Sequence, residues 1–264
     1  MSILAPQVNC KEVLATGWGE HRDLKQAGKY EKIEHCRPMV RTLAPNNINI
    51  EKSEVARYLG YGKDGNPSAQ ISSLIDSQIS EASRLIEPSC FCVMKEVENV
   101  EASRISLRGN NLVFSSNIIA RRIFSKCSKA AIFLTTIGPR LEERVSQLMD
   151  GGEILKGAIL DAVGNEAVEK VACWLEASIK ETAAASGADV SLRYSPGYCD
   201  WDIKEQKVLF SALDGDLHGV ELTEDCLMMP RKSISGIIGI GFDSSITLSP
   251  CLFCNKTDCP SRRL

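Results

Sequence analysis

The chain is poor in aromatic residues, at 6%, and holds only three histidines among 264 residues. With few rings and none interleaved with a basic run, it offers no stacking platform for single-stranded nucleic acid. His21, His35 and His218 are scattered, so no H-E-x-x-H zinc helix and no Ser/His/Asp or Cys/His setting can be read. Positive charge is not in excess: 31 Lys plus Arg stand against 34 Asp plus Glu, a net charge of −3. That balance disfavours both nucleic acid and an anionic membrane surface. No stretch approaches the ~20 apolar residues of a membrane helix. The start, Met1-Ser2-Ile3-Leu4-Ala5-Pro6, lacks the basic and apolar segments of a secretion signal, so a cytoplasmic protein is expected. There is no G-x-x-x-x-G-K-[ST] phosphate loop. Gly236, Gly239 and Gly241 give G-x-x-G-x-G, which is not the dinucleotide-binding order.

Cysteine, by contrast, is plentiful, with eleven residues. In a reducing compartment these do not read as a disulfide set, and most are expected to be small buried hydrophobes. Cys90 and Cys92 flank Phe91 and are expected on opposite sides of a strand. Cys251, Cys254 and Cys259 form a C-x2-C-x4-C array. Three thiolates at that spacing suit a soft metal, either an iron–sulfur cluster or zinc. The fourth ligand would come from Cys226, Cys199, Cys36 or Cys10. The plain alternative is three structural thiols in a tail.

Residues 1–47 have weak periodicity and read as an N-terminal extension, and 251–264 as a Cys-rich tail. Between them, 48–250 read as one domain. Glu51 to Leu59 is a short helix. An amphipathic helix follows a Ser68 N-cap, carries Ile71, Leu74, Ile75, Gln78, Ile79, Ala82, Leu85 and Ile86 at 3–4 spacing, and ends at Pro88. Ile105 to Phe114, with Gly109-Asn110-Asn111 between apolar segments, is a hairpin. Ile118 to Cys127 is helical, Ala130 to Thr136 a buried strand, and Gly138-Pro139 opens a helix. The longest helix is expected from about Glu153 to Thr182, with Leu155, Ile159, Ala162 and Val163 on its apolar face. Strands over 188–194, 220–222 and 234–240 and a helix over 202–213 complete the reading. Helices interleaved with short strands predict an α+β fold, a twisted antiparallel sheet with flanking helices.

Two features carry candidate chemistry. Arg193-Tyr194-Ser195-Pro196-Gly197-Tyr198 joins a fork of donors suited to a carboxylate, a tight Pro-Gly turn that lets a ligand approach the backbone, and an aromatic face. Its plain alternative is a strand-to-helix turn with a surface Arg. Glu166 falls on the apolar face of the long helix, where a carboxylate must be paired or in use because an unpaired buried charge is costly. It could accept bonds from an α-amino group or a ribose, or be a core Glu paired with a nearby Lys or Arg.

The order of motifs is more specific than either feature. Thr135-Ile137-Gly138, then Ile159 to Gly164 leading to Glu166, precede the R-x-S-P-G-Y block. Glu205-Gln206, Gly219-Val220-Glu221-Leu222-Thr223-Glu224, Met228-Met229-Pro230 and Ser233-Ile234-Ser235-Gly236 follow it. This series resembles the activation domain of cobalamin-dependent methionine synthase, carried here as a standalone chain. The resemblance implies an S-adenosylmethionine groove formed by Arg193, Ser195, Gly197, Tyr198 and Glu166, with no acid–base residue of its own. It also implies partners: the corrinoid-binding modules of a methionine synthase or a related methyltransferase, and a flavodoxin-like electron donor. The role would be rescue of oxidised cobalamin held by the partner. Where the family has a Tyr-rich strand, this chain has Phe242-Asp243-Ser244 and then the cysteine array. The array leaves two other readings open: an iron–sulfur electron carrier for corrinoid proteins, or a zinc-stapled docking partner.

Overall fold

Antiparallel pairing organises the chain. The computed structural model describes residues 39–42, 48–62, 65–213, 215 and 217–241. Its strands are β1 (Met39–Thr42), β2 (Ser89–Glu101), β3 (Arg104–Leu107), β4 (Val113–Ser115), β5 (Lys129–Thr136), β6 (Val190–Tyr194), β7 (Glu221–Leu222), β8 (Met228–Met229) and β9 (Ser233–Ile240). The main sheet runs β4-β3-β2-β5-β9-β6, and β1 pairs beside β2, while β7 and β8 form a separate ribbon. Each described pairing is antiparallel. The expected α+β class, an antiparallel sheet with flanking helices, is the architecture found.

The two faces of the sheet are covered differently. Helices α1 (Lys52–Tyr58), α2 (Ala69–Ala82), α4 (Arg140–Asp150) and α5 (Ile154–Ala184) lie on one face, and α3 (Asn117–Arg122) and α6 (Gln206–Leu213) on the other. Strand alternation sends Ala131, Phe133 and Ile238 to the first core and Ala130, Ile132, Leu134 and Ile237 to the second. The same alternation corrects one expectation. Cys90 and Cys92 do not face opposite sides; two residues apart, they share the α5 side, and Phe91 points the other way.

Local boundaries follow from caps and burial. Ser68 caps α2, its hydroxyl accepting from the Ile71 amide at 3.4 Å. That helix ends at Ala82, earlier than expected, and Leu85 and Ile86 pack from the turn beyond it. The expected helix over 118–127 is broken: α3 stops at Arg122 and a 3₁₀ turn spans Phe124–Lys126. The hairpin of β3 and β4 is present. β2 is longer than its apolar start suggests. Past a register shift between Val97 and Asn99 its charged half pairs with β3, held by backbone hydrogen bonds rather than by burial. Helix α5 has 31 residues, about 46 Å of rise. Leu155 is not on its buried face but 50% exposed, because continuous burial begins only at Gly157. No described helix is long and apolar enough to cross a membrane.

Candidate functional site

Arg193 leaves β6 opposite Ile238, a residue of the α5-side core, so its side chain runs beneath α5. It is 2% exposed and not a surface group. Its Nη2 donates to Glu169 Oε2 at 2.5 Å, and its Nε lies 3.6 Å from Glu176 Oε2. Burial works against the charge of this guanidinium; Glu169 and then Glu176 outweigh it and hold Arg193 above its ordinary range. Glu176 is itself pushed up by burial, with Arg193 opposing. Tyr198 is close enough to act on the Arg193 charge, so the structure brings Arg193 and Tyr198 together.

The turn that carries Ser195, Gly197 and Tyr198 closes on itself. The Gly197 amide donates to the Trp201 carbonyl at 2.7 Å, the Tyr198 amide to the Ser195 carbonyl at 3.3 Å, and the Trp201 amide to the Tyr198 carbonyl at 2.9 Å. Gly197 takes φ +93°, a conformation that side chains resist. Two anchors fix the turn to the other side of the sheet. Asp200 accepts from the Ser116 hydroxyl (2.7 Å) and from the amides of Asn117 (2.8 Å) and Ile118 (3.2 Å), capping α3. Trp201 is buried, its ring edge-to-face with Phe114 at 5.6 Å.

The downstream motifs support this turn. The Ser235 hydroxyl donates to Gln206 Oε1 at 2.6 Å, and Gln206 Nε2 donates to the Cys226 carbonyl at 3.4 Å. The Ser233 hydroxyl bonds Thr136 Oγ1 and the Pro230 carbonyl. Gly236 admits no larger residue: a Cβ there would lie 2.4 Å from the Tyr194 carbonyl oxygen and 2.9 Å from the Phe133 ring. The S-x-S-G block is thus explained by packing against β6 and α6.

Glu166 occupies a second position on α5, one turn before Glu169. It is 0% exposed, and neither carboxylate oxygen accepts a hydrogen bond among the described residues. Lys170 Nζ is 3.4 Å from its Oε1, near enough for attraction, but that ammonium is already bonded to Glu51. Burial raises Glu166 to about 8; Lys170 opposes the rise, and Glu54 and Glu51 add to it. Above it lies α1, whose Tyr58 hydroxyl is also buried without a partner, and burial raises that group too.

Sequence reasoning found Arg193 and Glu166 but missed Glu169, Glu176, Lys170 and Tyr58. A signal was available: Glu166, Glu169 and Glu176 fall at i, i+3 and i+10, a single stripe of the helix. Cys251, Cys254 and Cys259 lie outside the described residues, as do Cys10 and Cys36. Among the described residues no group of three or more His, Cys, Asp or Glu is placed to hold a metal ion. Cys226 is buried, its thiol directed at the Glu224 carbonyl at 3.9 Å.

No curated protein sequence matches the chain. Among solved structures, the "Crystal Structure of the MetH Reactivation Domain bound to AdoHcy" is similar in fold, with a TM-score of 0.58 at 12% identity, covering 79% of each chain. The family model described as "Vitamin B12 dependent methionine synthase, activation domain" matches residues 110–245. That span is more than half of the chain and holds β5, α5, the R-x-S-P-G-Y turn and the S-x-S-G strand in one continuous match. The protein therefore belongs to the family of vitamin B12-dependent methionine synthase activation domains.

Proposed function

We propose that this chain binds S-adenosylmethionine and supports, in trans, the reductive remethylation of a cobalamin-dependent methionine synthase or a related corrinoid methyltransferase. The observation that carries this reading is the buried ion cluster by which Arg193, two residues before the glycine turn, ties β6 to Glu169 and Glu176 of α5 with Tyr198 close by. A desolvated acidic stripe beside a Gly turn suits a ligand with positive charge at one end and a flat ring at the other. The similar MetH reactivation domain was solved with AdoHcy bound, which supports a ligand of that class.

In this reading Gly197 lets the ligand lie close to the backbone, Tyr198 covers its ring, and Ser195 offers a hydroxyl. Arg193, fixed by Glu169 and Glu176, sets the position of the turn and faces the ligand's carboxylate end. Glu166 receives the amino-acid head. The chemistry served is transfer of a sulfonium methyl to the reduced corrinoid of a partner, and the electron comes from a flavodoxin-like donor. A sulfonium leaves without protonation, so this chain's residues need only bind, orient and exclude water. Calorimetric titration of the full chain with S-adenosylmethionine tests the reading. Saturable binding at one site is the expected result. A folded sample that takes up no ligand would refute it.

A further inference from the structure

We propose that the α-ammonium of the ligand is received by Glu166 beneath α1, and that its arrival expels a proton which Glu166 holds in the empty protein. This rests on the reading above, which puts the amino-acid head at Glu166, and adds what leaves when that head binds.

Three acceptor oxygens lie buried without hydrogen-bond partners among the described residues where α1 packs on α5: both carboxylate oxygens of Glu166 and the Tyr58 hydroxyl, which Glu166 is close enough to influence. An ammonium carries three donors and no acceptor, the complement of that set. The apolar surroundings make the charge count decisive. Glu166, Lys170 and Glu51 together carry one excess negative charge when Glu166 is ionised, and none when it is protonated. Glu54 is already paired with Arg57 at 2.7 Å. Among the described residues, the other elements packed here bring no charge to neutralise Glu166: α2 turns Ile75, Gln78 and Ala82 inward, α4 turns Leu141, Val145 and Leu148, and the sheet turns Ala131, Phe133 and Ile238. An ionised Glu166 facing only a Lys170 already shared with Glu51 is therefore unfavourable in the ligand-free protein, in keeping with its rise to about 8.

Binding exchanges one positive species for another. The neutral carboxyl gives its proton to solvent, the ammonium takes its place against the carboxylate, and the charge of the site is unchanged. Entry requires α1 to lift. That helix has seven residues, buries only Val55 and Ala56 fully, and runs into Gly60 and Gly62, both at positive φ.

The test is calorimetric titration of the full chain with S-adenosylmethionine at pH 7, in phosphate and in Tris, whose ionisation heats differ. A group titrating near 8 is roughly nine-tenths protonated at pH 7, so close to one proton should be released per ligand. Release should fade as pH rises past that value. S-adenosylhomocysteine keeps the ammonium and should release the same proton. Glu166→Gln should abolish release and weaken binding about tenfold or more. Saturable binding with equal heats in both buffers overturns this inference and leaves the binding reading standing. Release with S-adenosylmethionine alone assigns the cation to the sulfonium and overturns the ammonium assignment. Undiminished release by Glu166→Gln overturns it too, and no binding at all by folded protein overturns both. If the variant does not fold, the two-buffer titration of the unaltered chain still decides.

Discussion

Glu166 and Glu169 are chemically identical, equally sequestered, and one turn apart on α5, yet they face different partners. Glu169 meets Arg193 at 2.5 Å and forms part of a buried ion cluster with Glu176. Glu166 has only a shared Lys170 at 3.4 Å and no hydrogen bond from the described residues. Burial is common to both, so the partner makes the difference. A buried carboxylate with a dedicated guanidinium is architecture; one without a donor is pushed towards its neutral form and is open to a ligand.

The sharpest way to break the contrast is to make Glu169 resemble Glu166. Arg193→Ala removes the guanidinium that Glu169 and Glu176 face in the core and should cost roughly 3–5 kcal/mol of folding stability, read by denaturant unfolding. A loss below about 1 kcal/mol would mean that the ion cluster is not structural. The pH profile gives the next effect. The folded value of Glu166, about 8, lies above that of a free carboxyl, so the unfolded chain releases this proton first as pH rises. Its contribution is thus intact in acid and is lost as pH climbs from the free-carboxyl range towards 8, on the order of 5 kcal/mol. Glu176, raised by the same cause, adds in the same direction. Unfolding measured between pH 5 and 9 should show this decline, and Glu166→Gln should flatten it. The smallest effect belongs to Tyr58→Phe. The hydroxyl makes no hydrogen bond with the described residues, so its loss should change stability by less than about 0.5 kcal/mol. A larger loss would show that Tyr58 already has a partner.

Much of this layout was legible in the sequence. The 3–4 spacing of α2, the hairpin of β3 and β4, and the length of α5 all follow from periodicity, because each buries one continuous stripe. Leu155 was misplaced because periodicity locates a face but not where packing starts. The charged half of β2 was missed for the converse reason: its pairing is a backbone property that side chains do not announce. The depth of Arg193 was not readable either. On a five-residue strand, an Arg between Leu192 and Tyr194 gives no sign of which side it takes, and its partners Glu169 and Glu176 stand on another element. Glu166 was identified because a single helix carries both the residue and the apolar pattern it interrupts.

Gly236 bears on how this chain is identified at all. Its missing side chain leaves room for the Tyr194 carbonyl and the Phe133 ring, and Ser235 and Gln206 brace the same junction. These demands come from closing β9 against β6 and would persist in a descendant that bound nothing. The S-x-S-G part of the motif series is thus accounted for by the fold, whereas the R-x-S-P-G-Y part is proposed to hold the ligand. Lineage and activity are written in different letters of the same stretch, and a copy that kept Gly236, Ser235 and Gln206 but lost Glu166 would still be recognised as family after its chemistry had gone.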